Sequence, residues 1–86
     1  MSDPSVVVTV LLFDVLRQRV GRGTLAATVA AGSTATDLLD QLAREHASVA
    51  EHRPVTRLAV NGRYAPADTV LAEGDEVALI TPVSGG

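Results

Sequence analysis

The sequence has 86 residues and a formal net charge of −3 at pH 7, with no cysteine and no lysine. This length fits one domain with a single core. The absence of cysteine excludes disulfides, a thiolate nucleophile and sulfur ligands for zinc. The arginines are scattered and do not form the basic stripe of a nucleic-acid binder. The apolar run at residues 6–12 follows Asp3 instead of a positive charge and is too short to span a membrane, so we expect a soluble cytoplasmic protein.

The first predicted element is a strand at residues 6–13, which is rich in β-branched side chains. Side chains alternate between the two faces of a strand. One face therefore carries Val8, Val10 and Leu12, and the other carries Val7, Thr9, Leu11 and Phe13.

A helical turn and a second strand follow. Asp14 is expected to cap a short helix over residues 15–20, which Gly21 ends. Residues 24–29 alternate between apolar and polar side chains, as in a strand with one buried face. The two strands are predicted to form a hairpin with the helical turn in its connection.

One substantial helix is predicted after this hairpin. Thr34 and Asp37 have the spacing of a capping box. Four apolar residues then fall at i, i+3, i+4 and i+7 and form one stripe that ends near His46. They are Ala35, Leu38, Leu39 and Leu42.

The second half of the chain predicts an irregular polar segment at residues 48–54 and two strands, at 57–60 and 76–80. Tight turns are expected at Asn61-Gly62 and at Glu73-Gly74-Asp75. The predicted order of strand, strand, helix, strand, strand suggests an α+β roll in which one helix covers one face of a mixed sheet. This order resembles the β-grasp, or ubiquitin-like, fold.

The sequence closes with Pro82-Val83-Ser84-Gly85-Gly86. Glycine has no Cβ, so a Gly-Gly end fits a narrow active-site channel, and five extended residues reach about 17 to 18 Å. We therefore divide the chain into a domain at residues 1–81 and a flexible tail at 82–86. Pro82 is expected to launch the tail, Val83 to seat it and Ser84 to hydrogen-bond the channel wall. A solvated terminus without a role is the alternative.

The closing stretch at residues 71–86, LAEGDEVALITPVSGG, resembles the end of the MoaD/ThiS sulfur-carrier family, and within it the small subunits of molybdopterin synthase. Similar residues also occur at Leu12–Arg17, around Asp37-Leu38-Leu39 and at Ala59–Gly62, so the resemblance extends from Val6 onward. Thr81 departs from the pattern, because family members often have a second proline there.

The resemblance implies a sulfur carrier that is a cosubstrate and not an enzyme by itself. An adenylyltransferase resembling ubiquitin-activating enzymes would use ATP to activate the Gly86 carboxylate, and persulfide-derived sulfur would displace AMP to give a thiocarboxylate. The large subunit of molybdopterin synthase would then use this sulfur for the dithiolene of molybdopterin. The chain itself would bind no stable cofactor, no metal, no nucleic acid and no membrane.

The outward face of the sheet is the predicted partner-binding surface, because an exposed apolar patch often marks a binding site. Leu11, Phe13, Ala78 and Ile80 are expected on this face, with Arg17 nearby to pair with a partner carboxylate. A half-buried face and a solvated arginine are the alternatives.

His46 and His52 lack metal-ligand spacing and are expected to be ordinary surface residues. Glu73, Asp75 and Glu76 are expected to shape a polar turn and not to act in acid–base catalysis.

Three other functions fit the same sequence. They are sulfur delivery for cysteine, thiamine or a specialised metabolite, conjugation to lysines of other proteins as a ubiquitin-like modifier, and a purely structural β-grasp module. Because the chain contains no lysine, it cannot accept an isopeptide bond on its own side chains.

Overall fold

The computed structural model describes residues 3–81, and the predicted tail at 82–86 lies outside this range. The sheet consists of β1 (Ser5–Leu12), β2 (Thr24–Ala30), β3 (Arg57–Val60), β4 (Arg63–Tyr64) and β5 (Glu76–Ile80). The helices are α1 (Asp14–Val20), α2 (Ala35–Glu45) and α3 (Ala47–His52), and a 3-10 turn follows at Arg53–Val55. The predicted α+β roll is confirmed.

The strands are arranged in the order β2-β1-β5-β3-β4, and only β1 and β5 are parallel. Leu12 near the end of β1 lies beside Leu79 near the end of β5. The two central strands therefore finish at the same end of the sheet. At this end β1 enters α1, and the chain leaves β5 toward residue 82.

The core lies between one face of the sheet and α2. Alternation in β1 and β5 buries every second side chain, and the apolar stripe of α2 packs against them. The buried residues include Val8, Val10 and Leu12 from β1, Val77 and Leu79 from β5, and Ala35, Leu38, Leu39 and Leu42 from α2. The predicted inward faces and helix stripe are confirmed. None of the helices within residues 3–81 has the length and hydrophobicity needed to cross a bilayer.

The predicted capping box begins α2. The Asp37 amide donates to the Thr34 hydroxyl at 3.2 Å, and the Thr34 amide donates to the Asp37 carboxylate at 2.9 Å. The loop after β4 also covers this helix end, since the amides of Ala35 and Thr36 donate to the carbonyls of Thr69 and Ala67. The first turn of α2 is thus held by hydrogen bonds between residues close in the sequence and by hydrogen bonds to the distant loop after β4.

Replacement of Thr34 with alanine is expected to lower the free energy of unfolding by about 1 kcal/mol, because the Asp37 amide loses its acceptor. Chemical denaturation monitored by circular dichroism measures this change. The exposed helical residue Gln18, replaced with alanine, serves as the control and is expected to change stability little. Equal stability of the Thr34 variant and the parent would show that the box does not stabilise the helix.

The predicted irregular segment at residues 48–54 is wrong. This region forms α3 and the 3-10 turn, because Ser48 and Val49 are buried against the rest of the protein. Ion pairs of Glu51 with Arg19, at 3.1 Å, and of Asp40 with Arg53 join these turns to α1 and α2. This segment is too short and too polar to show helical periodicity in the sequence. Tertiary packing is therefore what makes it helical.

Two further predictions of local structure need correction. Asp14 is not the cap of α1 but its first residue, because Phe13 remains extended and occupies the N-cap position without a side-chain hydrogen bond. The sheet within residues 3–81 has five strands and not four, since β4 pairs with β3 across the Asn61-Gly62 turn. Both turn residues have positive φ, as the tightest hairpins require.

Candidate functional site

The candidate site is a groove on the helix-free face of the sheet, which we call the outer groove. It has a volume of about 340 Å³. Its lining consists of Leu11, Phe13, Ala59, Gly62, Tyr64, Glu76, Ala78 and Ile80. Most of these residues are apolar, so the groove is suited to a partner's apolar side chains.

Strand register explains why a depression forms here. Leu11 lies beside Ala78, Ala78 beside Ala59, and Ala59 beside Tyr64, in one row across four strands. Two alanines thus separate two larger side chains. The small residues form the floor of the outer groove, and the larger ones flank it.

The aromatic residues of the outer groove are its most accessible apolar members. Phe13 is 45% exposed and Tyr64 is 69% exposed. Ala59 is buried, while Leu11, Ala78 and Ile80 are half-buried. This combination of exposed rings and a covered floor is what an apolar docking site offers before a partner binds.

The structure places all four predicted apolar residues, Leu11, Phe13, Ala78 and Ile80, in the outer groove. Ala59 and Tyr64 also line the groove and were not predicted. The signal for them was the Asn61-Gly62 turn: a two-residue turn continues the ladder on its far side, which places Tyr64 opposite Ala59. Because β4 was not predicted, Tyr64 was not recognised as one side of the groove.

Arg17 lies outside the outer groove. It is exposed on α1 and lines a separate polar cavity with Asp14, Gln18 and Arg22. Its guanidinium lies over the backbone of Gly23, where an added Cβ would be 3.4 Å from Nε. Because Phe13 directly precedes α1, this cationic side chain is near the groove without being part of it.

The tail residues predicted to carry the chemistry, Pro82, Val83, Ser84, Gly85 and Gly86, lie outside the described residues. The structure does show where they start. Thr81 is buried, and Ile80 lines the outer groove just before it. The tail therefore starts at one end of the candidate docking site.

The acidic turn before β5 is engaged in backbone contacts. Glu73 accepts a hydrogen bond from the Val7 amide at 2.9 Å, and Asp75 accepts one from the Ala72 amide at 2.8 Å. Asp75 also accepts from the Asn61 side chain, whose oxygen in turn accepts from the Glu76 amide. These contacts fix the start of β5 and support a structural role for the carboxylates.

The two histidines also have local structural positions. His46 lies at the junction of α2 and α3, and the His52 ring donates from Nδ1 to the Ser48 carbonyl at 2.8 Å. Within residues 3–81, no group of three or more histidine and acidic side chains is placed to hold a metal ion.

Comparison with known proteins agrees with this geometry. The ThiS family profile matches residues 10–86. The molybdopterin synthase sulfur carrier subunit of Arabidopsis thaliana is 37% identical over 82 residues, which are 95% of this chain and 85% of that protein. The protein of the same name from Mycobacterium tuberculosis is 42% identical over 55 residues, which are 64% of this chain and 66% of that protein.

A solved structure shows the same architecture. SAMP1, the small archaeal modifier protein 1 of Haloferax volcanii, superposes with a TM-score of 0.79 and 31% identity, covering 93% of this chain and 99% of that chain. A mixed sheet with parallel central strands, one main helix and an open outer face defines a ubiquitin-like β-grasp protein. More specifically, the chain belongs to the ThiS family.

Proposed function

We propose that this protein is the sulfur carrier subunit of a molybdopterin synthase and acts in molybdenum cofactor biosynthesis. The observation that carries the proposal is the match to carriers of that name, at 37% identity over 95% of the chain. The outer groove and the adjoining start of the tail add physical support. A carrier needs a surface that holds it to a partner and an end that reaches the partner's active site.

The reacting atom in this proposal is the carbonyl carbon of Gly86. A terminal carboxylate, with an ordinary pKa of about 3.3 to 3.7, is ionised near neutral pH and resists nucleophilic attack. Adenylation by ATP converts one carboxylate oxygen into part of a leaving group. The outer sulfur of a persulfide on the donor then attacks the Gly86 carbonyl carbon and displaces AMP, which gives an acyl disulfide. A thiol of the donor cleaves its S–S bond, so that the thiocarboxylate is released at Gly86 and the donor is left as a disulfide.

The activating chemistry belongs to partners in this account. The sequence contains no glycine-rich phosphate loop and no cysteine. An adenylyltransferase is therefore proposed to hold ATP, and a separate persulfide donor to supply sulfur. Because the activation consumes ATP, we propose that it takes place in the cytoplasm.

The large subunit of the synthase is the proposed occupant of the outer groove. Phe13 and Tyr64 are the expected anchors, with Leu11, Ala78 and Ile80 completing the apolar contact. Arg17, on the helix that follows Phe13, is proposed to pair with a carboxylate of the large subunit. With the body docked there, the tail is expected to enter the active site, where Gly85 and Gly86 pass a channel too narrow for side chains.

A second candidate function is supported by the likeness to SAMP1, whose full name describes it as a modifier protein. In that case the activated Gly86 would form amide bonds with lysines of other proteins. The absence of lysine from this chain would confine such bonds to those other proteins.

Transfer of sulfur to the pterin separates the two functions. Thiocarboxylated protein is mixed with the large subunit from the same cells and the cyclic pyranopterin monophosphate precursor. We expect the dithiolene product and return of the Gly86 carboxylate. If the thiocarboxylate persists without product while the same protein forms lysine conjugates in lysate, the synthase assignment is wrong.

A further inference from the structure

The strand at one end of the sheet has an open edge. β2 is seven residues long and pairs with β1 along its whole length, from Thr24 opposite Leu11 to Ala30 opposite Ser5. Among residues 3–81, no strand pairs with its other side. A strand edge of this kind presents free backbone donors and acceptors to any extended segment that fits beside it.

Hydrogen bonds at both ends of β2 show which backbone groups point outward. The Gly23 carbonyl accepts from the Leu12 amide, and the Ala31 amide donates to the Pro4 carbonyl, so odd-numbered residues face β1. In an antiparallel strand, successive residues alternate in direction. The outward groups therefore belong to Thr24, Ala26, Thr28 and Ala30.

One of these outward groups has a partner in α2. The Gln41 side chain donates from Nε2 to the Thr28 carbonyl at 3.2 Å. This contact agrees with the alternation derived from the ends of the strand. Two of the outward acceptors on this edge are therefore engaged within the protein: Gln41 covers the Thr28 carbonyl in the middle of the strand, and the Ser33 amide donates to the Ala30 carbonyl at its end, at 3.0 Å.

The edge of β2 lacks the features that usually prevent pairing between strands. Proteins protect edges with charge, proline, bulges or very short strands. β2 contains no charged residue and no proline, and its outward-facing side chains are only threonine and alanine. The opposite edge of the sheet is different, since β4 is two residues long and begins with Arg63.

We propose that two copies of this protein associate by antiparallel pairing of their β2 strands about a two-fold axis at Ala27. In this register Thr24 faces Ala30 of the other copy, and Ala26 faces Thr28. Each outward donor then faces an outward acceptor of the other copy, as a two-fold contact requires. Because β2 has no charged residue, pairing of two copies brings no like charges together. The strand also offers no charged group that would select a different partner.

Gln41 limits this association. The Ala26 amide of one copy needs the Thr28 carbonyl of the other, which is the acceptor that Gln41 already holds. The Thr24 amide likewise needs the Ala30 carbonyl of the other copy, which already accepts from the Ser33 amide. Dimer formation must displace or share both contacts, so the association is weak. The outer groove lies on β1, β5, β3 and β4 and stays accessible in the dimer, so this proposal does not depend on the proposed function.

Proline at position 26 tests the pairing directly. Its ring removes an outward amide hydrogen without removing a hydrogen bond to β1, and proline is tolerated on edge strands. By symmetry each dimer loses two bonds, so Ala26→Pro is expected to lower the association constant at least about tenfold in sedimentation equilibrium. Ala26→Lys tests the same edge with charge if the proline variant does not fold, and Ala72→Lys in the exposed loop before β5 is its control.

Removal of the competing side chain is expected to act in the opposite direction. Gln41→Ala frees the Thr28 carbonyl in both copies and should raise the association constant about tenfold. Gln18→Ala on α1 is the matched control and should leave it unchanged. Amide hydrogen exchange adds a residue-level measurement. Protection of the outward amides, those of Thr24, Ala26, Thr28 and Ala30, should rise with protein concentration, whereas Leu25, Ala27 and Val29 stay protected throughout.

The proposal is overturned if the parent and the Gln41 variant both remain monomeric up to millimolar concentration. Association that Ala26→Pro and Ala26→Lys leave unchanged would place the dimer contact elsewhere. Protection of the outward amides that appears only on addition of another protein would show that the edge binds a strand of that protein and not a second copy.

Discussion

Deletion of Gly86 is expected to abolish thiocarboxylate formation and sulfur transfer while leaving the free energy of unfolding unchanged. The shortened chain still ends in a glycine, but its carboxylate lies about 3.3 to 3.6 Å short of the activated position. Adenylation and sulfur transfer depend on placing reacting atoms within a fraction of that distance. The loss should therefore be close to complete even though the chemistry of the end group is the same.

The stability of the fold should not change on this deletion. The buried core of the described residues runs from Val8 to Leu79, and the last strand ends at Ile80. Ser84→Ala is the matched tail variant, since it keeps the length and the Gly-Gly end. It should still be converted, because it loses only the hydroxyl that is expected to contact the channel wall. Continued pterin sulfuration in cells that express only the shortened chain would contradict the proposed role of Gly86.

Replacement of Phe13 with aspartate is expected to weaken binding to the large subunit by about 2 kcal/mol or more, which is roughly a 30-fold rise in Kd. Phe13 is exposed in the free protein but would be buried in the complex. The substitution removes an aromatic anchor and adds a carboxylate that must lose its water on docking. Isothermal titration calorimetry with the purified large subunit measures the change.

The same substitution should leave the isolated protein as stable as the parent, or slightly more so. Phe13 is the N-cap residue of α1 and has no side-chain cap hydrogen bond, whereas aspartate is among the preferred N-caps. Val55→Asp is the matched control, because Val55 is an exposed apolar residue outside the outer groove. A much lower thermal midpoint for Phe13→Asp would show that Phe13 is assigned to the wrong face. Equal loss of binding in the Val55→Asp control would show that the groove is not the docking surface.

The regular part of the fold was predictable because each element has its own local signal. The β-branched run at residues 6–12 marks β1, and the period-two geometry of a strand places Val77 and Leu79 on one face of β5. The Thr34 capping box marks the start of α2 within one residue. In these segments local preference and tertiary packing favour the same structure.

The elements that were missed depend on contacts between distant segments. α3 has six residues, and it is the burial of Ser48 and Val49 and the ion pair of Glu51 with Arg19 that hold it in place. β4 has two residues, too few for any alternation to be visible. Sequence patterns detect periodicity, and neither segment is long enough to show one.

The candidate site divides in the same way. Four of its residues were predictable, because side chains alternate between the two faces of a strand and every second residue of β1 and β5 therefore faces outward. They are Leu11, Phe13, Ala78 and Ile80. The depression between them was not, because it depends on the alanine row that runs from Ala78 to Ala59 and on the flanking Tyr64. A sequence shows which face a residue occupies more readily than which residues lie beside it.

The intact mass of this protein, measured after incubation with ATP, a sulfur source and lysate from its own cells, tests the central claim most directly. The same spectrum establishes that Gly86 is the final residue. We predict a mass gain that equals the exchange of one oxygen for sulfur at Gly86. An unchanged carboxylate, accompanied by high-mass conjugates on other proteins, would contradict the assignment as a sulfur carrier and favour a protein modifier.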